Sequence, residues 1–198
     1  MQNRTAQFAV LTGGKSSRFG ENKLNHELDG KTILQQTVEK IDKRSDLPIL
    51  IIGKNNPCVS NVEFHKDIEL GIGPLRGIYT ALTYASAKYV FILAGDMPYI
   101  QKDLINFFMS HIICEKDVII PINKGFYEPL FAIYKKSLYD HFKNFLKNEQ
   151  YKISNALNDL DKLEISENQW RKYDKNGASF HNINTKSDLD NILTNNKI

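Results

Sequence analysis

The sequence predicts an α/β protein: a mostly parallel central sheet between two layers of helices, a three-layer α/β/α architecture. Three observations lead there. The strand-like runs are apolar throughout, as strands covered on both faces are, instead of alternating apolar with polar. They alternate along the chain with segments of helical spacing. Glycines and acids cluster just past their C-terminal ends, the edge at which such sheets bind ligands.

In chain order, Gln7-Phe-Ala-Val-Leu-Thr12 reads as a buried strand running into the turn Gly13-Gly14. Residues 32–43 carry Leu34, Val38 and Ile41 at helical spacing. Pro48-Ile-Leu-Ile-Ile52 is a second strand, closed by Gly53, and Val62-Glu-Phe-His65 a short third. Residues 77–84 read as a helix and Tyr89-Val-Phe-Ile-Leu-Ala94 as the next strand. Leu104, Ile105, Phe108 and Ile112 mark a helix, followed by the strand Asp117-Val-Ile-Ile120. A β excursion is expected over 126–134, and Leu138, Phe142, Phe145 and Leu146 share a helix face. Residues 152–175 are polar and carry no clear period, and a short helix is expected over 186–193.

The 198 residues, 41% hydrophobic and 25% charged, fit a single domain spanning the chain. A chain of this length buries about 70% of its unfolded surface and needs no disulfide or metal staple. No apolar run approaches the roughly 18 residues of a membrane span. The polar N-terminus does not read as a signal peptide, so a cytoplasmic protein with no membrane partner is expected. A net charge of +3 is too small to argue for nucleic acid. Cys58 and Cys114 stand far apart with no CxxC spacing, and the five histidines show no HxxxH or HExxH pattern, so no structural metal is indicated.

The stretch Leu11-Thr-Gly-Gly-Lys-Ser-Ser-Arg-Phe-Gly-Glu-Asn-Lys23 carries the most chemistry. Gly13 and Gly14 let the backbone approach a ligand closely, and successive amides in such a turn form a concave anion site. Lys15, Arg18 and Lys23 add three cations against the single acid Glu21. A triphosphate fits this balance, and the planar fork of a guanidinium such as Arg18 can bond two phosphate oxygens at once. Two other phosphate loops fail on spacing. A P-loop ending in Gly14-Lys15-Ser16 would need glycine where Ala9 stands, and in Gly71-Ile-Gly73-Pro-Leu-Arg-Gly77 the third glycine comes one position late for a dinucleotide fingerprint.

Asp96, in Ala94-Gly-Asp-Met-Pro98, follows the most apolar strand. One carboxylate combined with substrate phosphates is a common way to hold Mg²⁺, although Asp is equally at home simply starting a turn. Asp67 follows the short third strand toward the same edge. The 71–77 segment either recognises a base or ribose or merely turns into the next helix.

Together these segments resemble the molybdenum cofactor guanylyltransferase family. The matching residues are Leu11-Thr-Gly-Gly-x-Ser-x-Arg18-x-Gly20-x-x-Lys23, Gly73-Pro-Leu-x-Gly77, Gly95-Asp96-x-Pro98, Glu128-Pro-Leu-x-Ala132 and Asn182-Ile-Asn184-Thr185. The resemblance implies a Rossmann-like nucleotidyltransferase fold that moves GMP from GTP to molybdopterin, with Mg²⁺ as cofactor. It implies nucleotide binding in the N-terminal half and molybdopterin binding in the C-terminal half. Leu11, Thr12, Gly13, Gly14, Lys23, Asp67, Gly73 and Asp96 would contact GTP. Lys23, Asp96 and Arg18 would form the catalytic set, with Asp96 on the metal and Asn182 and Asn184 in the molybdopterin site. Transient contacts with other cofactor-synthesis proteins are implied as well.

The chain departs from the family pattern in three places. Thr12 stands where alanine is common, Asn22 where aspartate precedes the lysine, and Gly53 where an asparagine follows the second strand. The nearest alternative activities are cytidylyl transfer to the same pterin, or nucleotidyl transfer to a sugar or alcohol phosphate. A non-catalytic nucleotide carrier is the alternative of another class. Lys135, Lys136, Tyr134 and Trp170 are weaker candidates for the pterin, since solvated lysines and core aromatics are the commoner case.

Overall fold

A computed structural model describes residues 6–13, 23–28, 30–41, 47–57, 59–181 and 183. The strands are β1 (Ala6–Leu11), β2 (Glu27–Leu28), β3 (Lys31–Thr32), β4 (Ile49–Gly53), β5 (Val62–Lys66), β6 (Tyr89–Ala94), β7 (Val118–Asn123), β8 (Phe126–Tyr127), β9 (Phe131–Lys135) and β10 (Lys162–Ile165). The helices are α1 (Ile33–Ile41), α2 (Gly73–Tyr84), α3 (Lys102–Ser110), α4 (Tyr139–Lys147), α5 (Ile153–Leu157) and α6 (Glu167–Trp170).

The main sheet runs β10-β7-β9-β6-β1-β4-β5, with β8 paired to β7, while β2 and β3 form a separate small hairpin. β9 is antiparallel to both its neighbours, and the other pairs along this order are parallel. The C-terminal ends of β10, β7, β6, β1, β4 and β5 therefore share one edge with the start of β9.

Alternate residues of one strand enter two different cores. Phe8, Val10, Phe91 and Leu93 pack with Leu34, Val38, Leu104 and Phe108 from α1 and α3. Ala9, Leu11, Val90 and Ile92 pack with Leu75, Ile78 and Leu82 of α2 and with Phe142 and Leu146 of α4. Burial on both faces explains why β1, β4 and β6 are apolar at nearly every position. The three-layer architecture expected from the sequence is the one observed.

Two details differ from expectation. α2 begins at Gly73, four residues earlier than the 77–84 reading. Pro74 accounts for this: its fixed φ and missing N–H suit the first turn of a helix. The polar 152–175 region holds α5, β10 and α6, with β10 closing the sheet beside β7. The helix expected over 186–193 lies outside the described residues.

Candidate nucleotide site

The main edge of the sheet collects the residues singled out in the sequence. At the end of β6, Gly95 N–H donates to the Leu11 carbonyl at 2.9 Å, which ties the turn after β6 to the end of β1. Asp96 follows, largely buried. Its Oδ2 accepts from Lys23 Nζ at 2.5 Å. The same ammonium donates to the Ile183 carbonyl at 3.1 Å, and Ile183 N–H reaches the Asp96 carbonyl at 3.3 Å. Three segments far apart in the chain thus meet at one ion pair. Of the C-terminal motif, Ile183 is the described residue, and its backbone joins both members of the ion pair.

A second cluster lies across β1, at the end of β5. Asp67 Oδ2 accepts from Arg76 Nε at 3.0 Å and Oδ1 accepts from the Thr80 hydroxyl at 2.8 Å. Arg76 also donates to the Gly71 carbonyl at 3.2 Å. The Asp67 carboxylate stands 3.5 Å from where a Cβ on Gly13 would be, which places it beside Gly13. Gly73, with φ of +76°, opens α2 next to this cluster. The 71–77 segment is therefore a helix start that also carries Arg76. Sequence reasoning gave that arginine no role, and its signal was only its place within the glycine-rich segment.

Thr12 continues β1 by donating its N–H to the Ile52 carbonyl at 2.8 Å, and its hydroxyl bonds the same oxygen at 3.0 Å. A Cβ on Gly53 would lie only 2.0 Å from that hydroxyl. The backbone of β4 can pass here only because residue 53 has no side chain.

On the far side of Asp96, Asn123 at the end of β7 donates to Glu128 Oε1 at 2.8 Å. Glu128 is half-buried, and that burial pushes its carboxyl above the usual glutamate range, against the opposing effects of Asn123 and the Lys124 charge.

Of the residues expected at the site, Leu11, Thr12, Gly13, Lys23, Asp67, Gly73 and Asp96 lie along this edge. Gly14, Arg18, Asn182 and Asn184 fall outside the described residues, as do Lys15 and Cys58. The weaker pterin candidates sit elsewhere. Trp170 is buried under Phe180 with its indole N–H on the Ile122 carbonyl at 2.9 Å. Tyr134 is buried and bonds the Pro129 carbonyl, and Lys135 lies opposite Tyr89 at the other end of β6. Cys114 is an exposed free thiol, and no described helix is long and apolar enough to cross a membrane.

A doubly wound sheet whose glycine turn, lysine and aspartate converge on one strand edge defines a nucleotidyltransferase. The chain belongs to the MobA-like NTP transferase domain family, whose model matches residues 8–163. It is 40% identical over 189 residues to a protein of Natranaerobius thermophilus described as "Probable molybdenum cofactor guanylyltransferase", covering 91% of each chain. A Thermococcus kodakarensis protein of the same description is 34% identical over 192 residues, covering 91% of this chain and 90% of that one. The fold matches the crystal structure of molybdopterin-guanine dinucleotide biosynthesis protein A from Archaeoglobus fulgidus. The TM-score is 0.81 at 27% identity, over 93% of this chain and 95% of that one.

Proposed function

We propose that the protein transfers GMP from GTP to molybdopterin, yielding the guanine dinucleotide form of the cofactor and pyrophosphate. The observation that carries this reading is the meeting of Lys23, Asp96 and Ile183 at the end of β6, next to the end of β1. The descriptions of the relatives support guanine as the base and molybdopterin as the acceptor.

The acceptor's terminal phosphate attacks the α-phosphorus of GTP in line. The new P–O bond forms as the bond to the β-phosphate oxygen breaks, and pyrophosphate leaves with the electron pair. A phosphate monoester is already largely ionised near pH 7, so no general base is needed. Catalysis then rests on positioning and on charge stabilisation. Lys23, held by Asp96, neutralises charge at the α-phosphate. Arg18 and the amides of Gly13 and Gly14 hold the pyrophosphate, while Asp67 and Arg76 line the nucleotide side.

Mg²⁺ fits the donor set. Asp96 Oδ1 accepts no hydrogen bond from the described residues, and those residues offer no cluster of three His, Cys, Asp or Glu. A cation that takes one carboxylate and completes its shell with phosphates and water suits such a site. When bound, it would offset the negative charge of the triphosphate. A cytoplasmic location is part of this proposal, since GTP is supplied there.

Isothermal titration of GTP and CTP, each with Mg²⁺, on wild type and Asp96→Ala tests the reading. The expected result is GTP preference in wild type and loss of the metal dependence in the variant. Equal or better CTP binding would move the activity to cytidylyl transfer. GTP binding without pyrophosphate release in the presence of molybdopterin would make the protein a carrier.

A further inference from the structure

The motif Glu128-Pro-Leu-x-Ala132 has no part in the chemistry above, yet it lies on the site's own edge. Phe131 pairs with Leu93, and Ala94 N–H donates to the Leu130 carbonyl at 3.0 Å. Two residues beyond that bond lie Asp96 on one chain segment and Glu128 on the other. Glu128 lies on the β9–β7 side of Asp96, whereas Gly13, Asp67 and Arg76 lie on the β1–β5 side.

The hairpin joining β7 to β8 is built to hold its side chains still. Lys124 and Gly125 both have positive φ, 49° and 79°, as a two-residue type I′ turn requires. Lys124 N–H is anchored on Glu167 Oε1 at 2.5 Å, and the Trp170 indole braces Ile122. Asn123 and Phe126 are directly paired, so their side chains share a face, and Glu128, two residues on, shares it too. The Asn123–Glu128 hydrogen bond agrees with that assignment. Tyr127 points the other way, onto Glu164 of β10.

One face of a rigid hairpin therefore carries three different groups. Phe126 is an aromatic ring 76% exposed to solvent. Asn123 is an amide committed to Glu128 through its NH₂ group. Glu128 is a half-buried carboxyl whose Oε2 accepts no hydrogen bond from the described residues. A single exposed aromatic is ordinary, but one beside an oriented carboxyl is what recognises a flat heterocycle with a polar edge. The ring stacks on the π-face and the carboxyl accepts from adjacent N–H groups. The 2-amino-4-oxopyrimidine ring of a pterin presents such an edge, with a ring N–H beside an exocyclic NH₂.

We infer that Phe126, Asn123 and Glu128 form the subsite that reads the pterin ring of the acceptor. This deepens the proposed guanylyl transfer and rests on it. Guanine carries a similar two-donor edge, but the hairpin lies across Asp96 from the residues placed around the nucleotide.

Two measurements on wild type, Phe126→Ala and Glu128→Gln, each checked for folding by circular dichroism, test this. In the first, 6-hydroxymethylpterin fluorescence is titrated with protein. Wild type should quench it and each variant should bind about tenfold or more weakly. In the second, GMP transfer to molybdopterin is followed. Each variant should raise KM for molybdopterin about tenfold or more, with KM for GTP within about twofold of wild type. An unchanged molybdopterin KM, or a wild type that does not quench the pterin, would overturn the subsite. A raised KM for GTP instead would assign the hairpin to guanine and overturn it equally. Wild type that quenches the pterin yet transfers no GMP would overturn the proposed reaction while leaving the pterin subsite standing.

Discussion

Lys23 Nζ and Asp96 Oδ2 lie 2.5 Å apart although 73 positions separate them in the chain. Their side chains are 21% and 12% exposed, so solvent screens this pair much less than one on the open surface. Each group fixes the other's position, and the Ile183 carbonyl fixes the ammonium a second time. A lysine already oriented costs little further ordering when charge develops on a phosphate. Asp96→Ala should therefore lower turnover about 10²–10³-fold. Asp96→Asn keeps a carbonyl for Lys23 but not the charge, and should be nearly as slow. Pyrophosphate release with GTP, molybdopterin and saturating Mg²⁺ is the measurement. An asparagine variant within about tenfold of wild type would leave Asp96 as a positioning residue only.

Asp67 and Arg76 call for a different signature. The carboxylate is satisfied by Arg76 Nε and the Thr80 hydroxyl, so it holds the guanidinium at the start of α2. The pair is partly exposed, which reduces its worth below that of a fully buried one. Arg76→Ala and Asp67→Asn should each raise KM for GTP about three- to tenfold with little change in kcat, because the interaction is made equally in ground and transition states. Initial-rate kinetics with varied GTP decide it. A fall in kcat with KM unchanged would place Arg76 on the reacting phosphates instead.

The strands of the nucleotide half were legible because β1, β4 and β6 are buried on both faces, which leaves an uninterrupted apolar run in the sequence. The region 152–175 was not, because β10 has only one buried residue among its four and α5 spans five. One local signal did exist there. Ser166 and Gln169 form a capping box that starts α6, and the pattern Ser-x-x-Gln can be read without coordinates. At the site, Asp96 stood out by its place just after β6 and Lys23 as one of the cations following Gly13-Gly14, whereas their pairing across 73 positions could be seen only in the fold. Arg76 was not legible, because its importance comes from a contact with Asp67 across a turn. Nor could Trp170 be told from a stacking platform, since only packing reveals an indole buried beneath Phe180.

Two departures from the family pattern turn out to be one. Thr12 and Gly53 belong to neighbouring strand ends, and the Thr12 hydroxyl fills the space that a Cβ on residue 53 would need, 2.0 Å away. A side chain at 53 requires a smaller residue at 12. Gly53→Ala alone should cost about 1–3 kcal/mol through overpacking or loss of the hydroxyl's bond to the Ile52 carbonyl. Thr12→Ala combined with Gly53→Ala should recover most of that, a coupling of about 1 kcal/mol or more. Urea unfolding of the two single variants and the double variant measures it. Strict additivity would mean that β4 shifts away from Thr12 at no cost.

Glu128 links the pterin subsite to stability. Burial raises its carboxyl above the ordinary range near 4.5, while the Asn123 hydrogen bond and the Lys124 charge pull in the opposite direction. A raised folded-state value means the folded protein holds the proton more tightly than the unfolded chain does. The resulting stability is fully present below about pH 4.5 and is lost as the pH climbs through the raised value. Glu128→Gln stays neutral throughout and can still accept from Asn123. The variant should match wild type in Tm near pH 4 and exceed it by about 1–3 °C near pH 7.5. A group kept ionisable at a cost in stability is expected where its charge serves binding. The same substitution should therefore stabilise the fold at neutral pH while weakening pterin binding. Thermal unfolding of both proteins across that pH range checks the sign. A Tm difference that does not grow with pH would mean Glu128 ionises without penalty, and its conformation would then owe nothing to the half-buried site between β7 and β9.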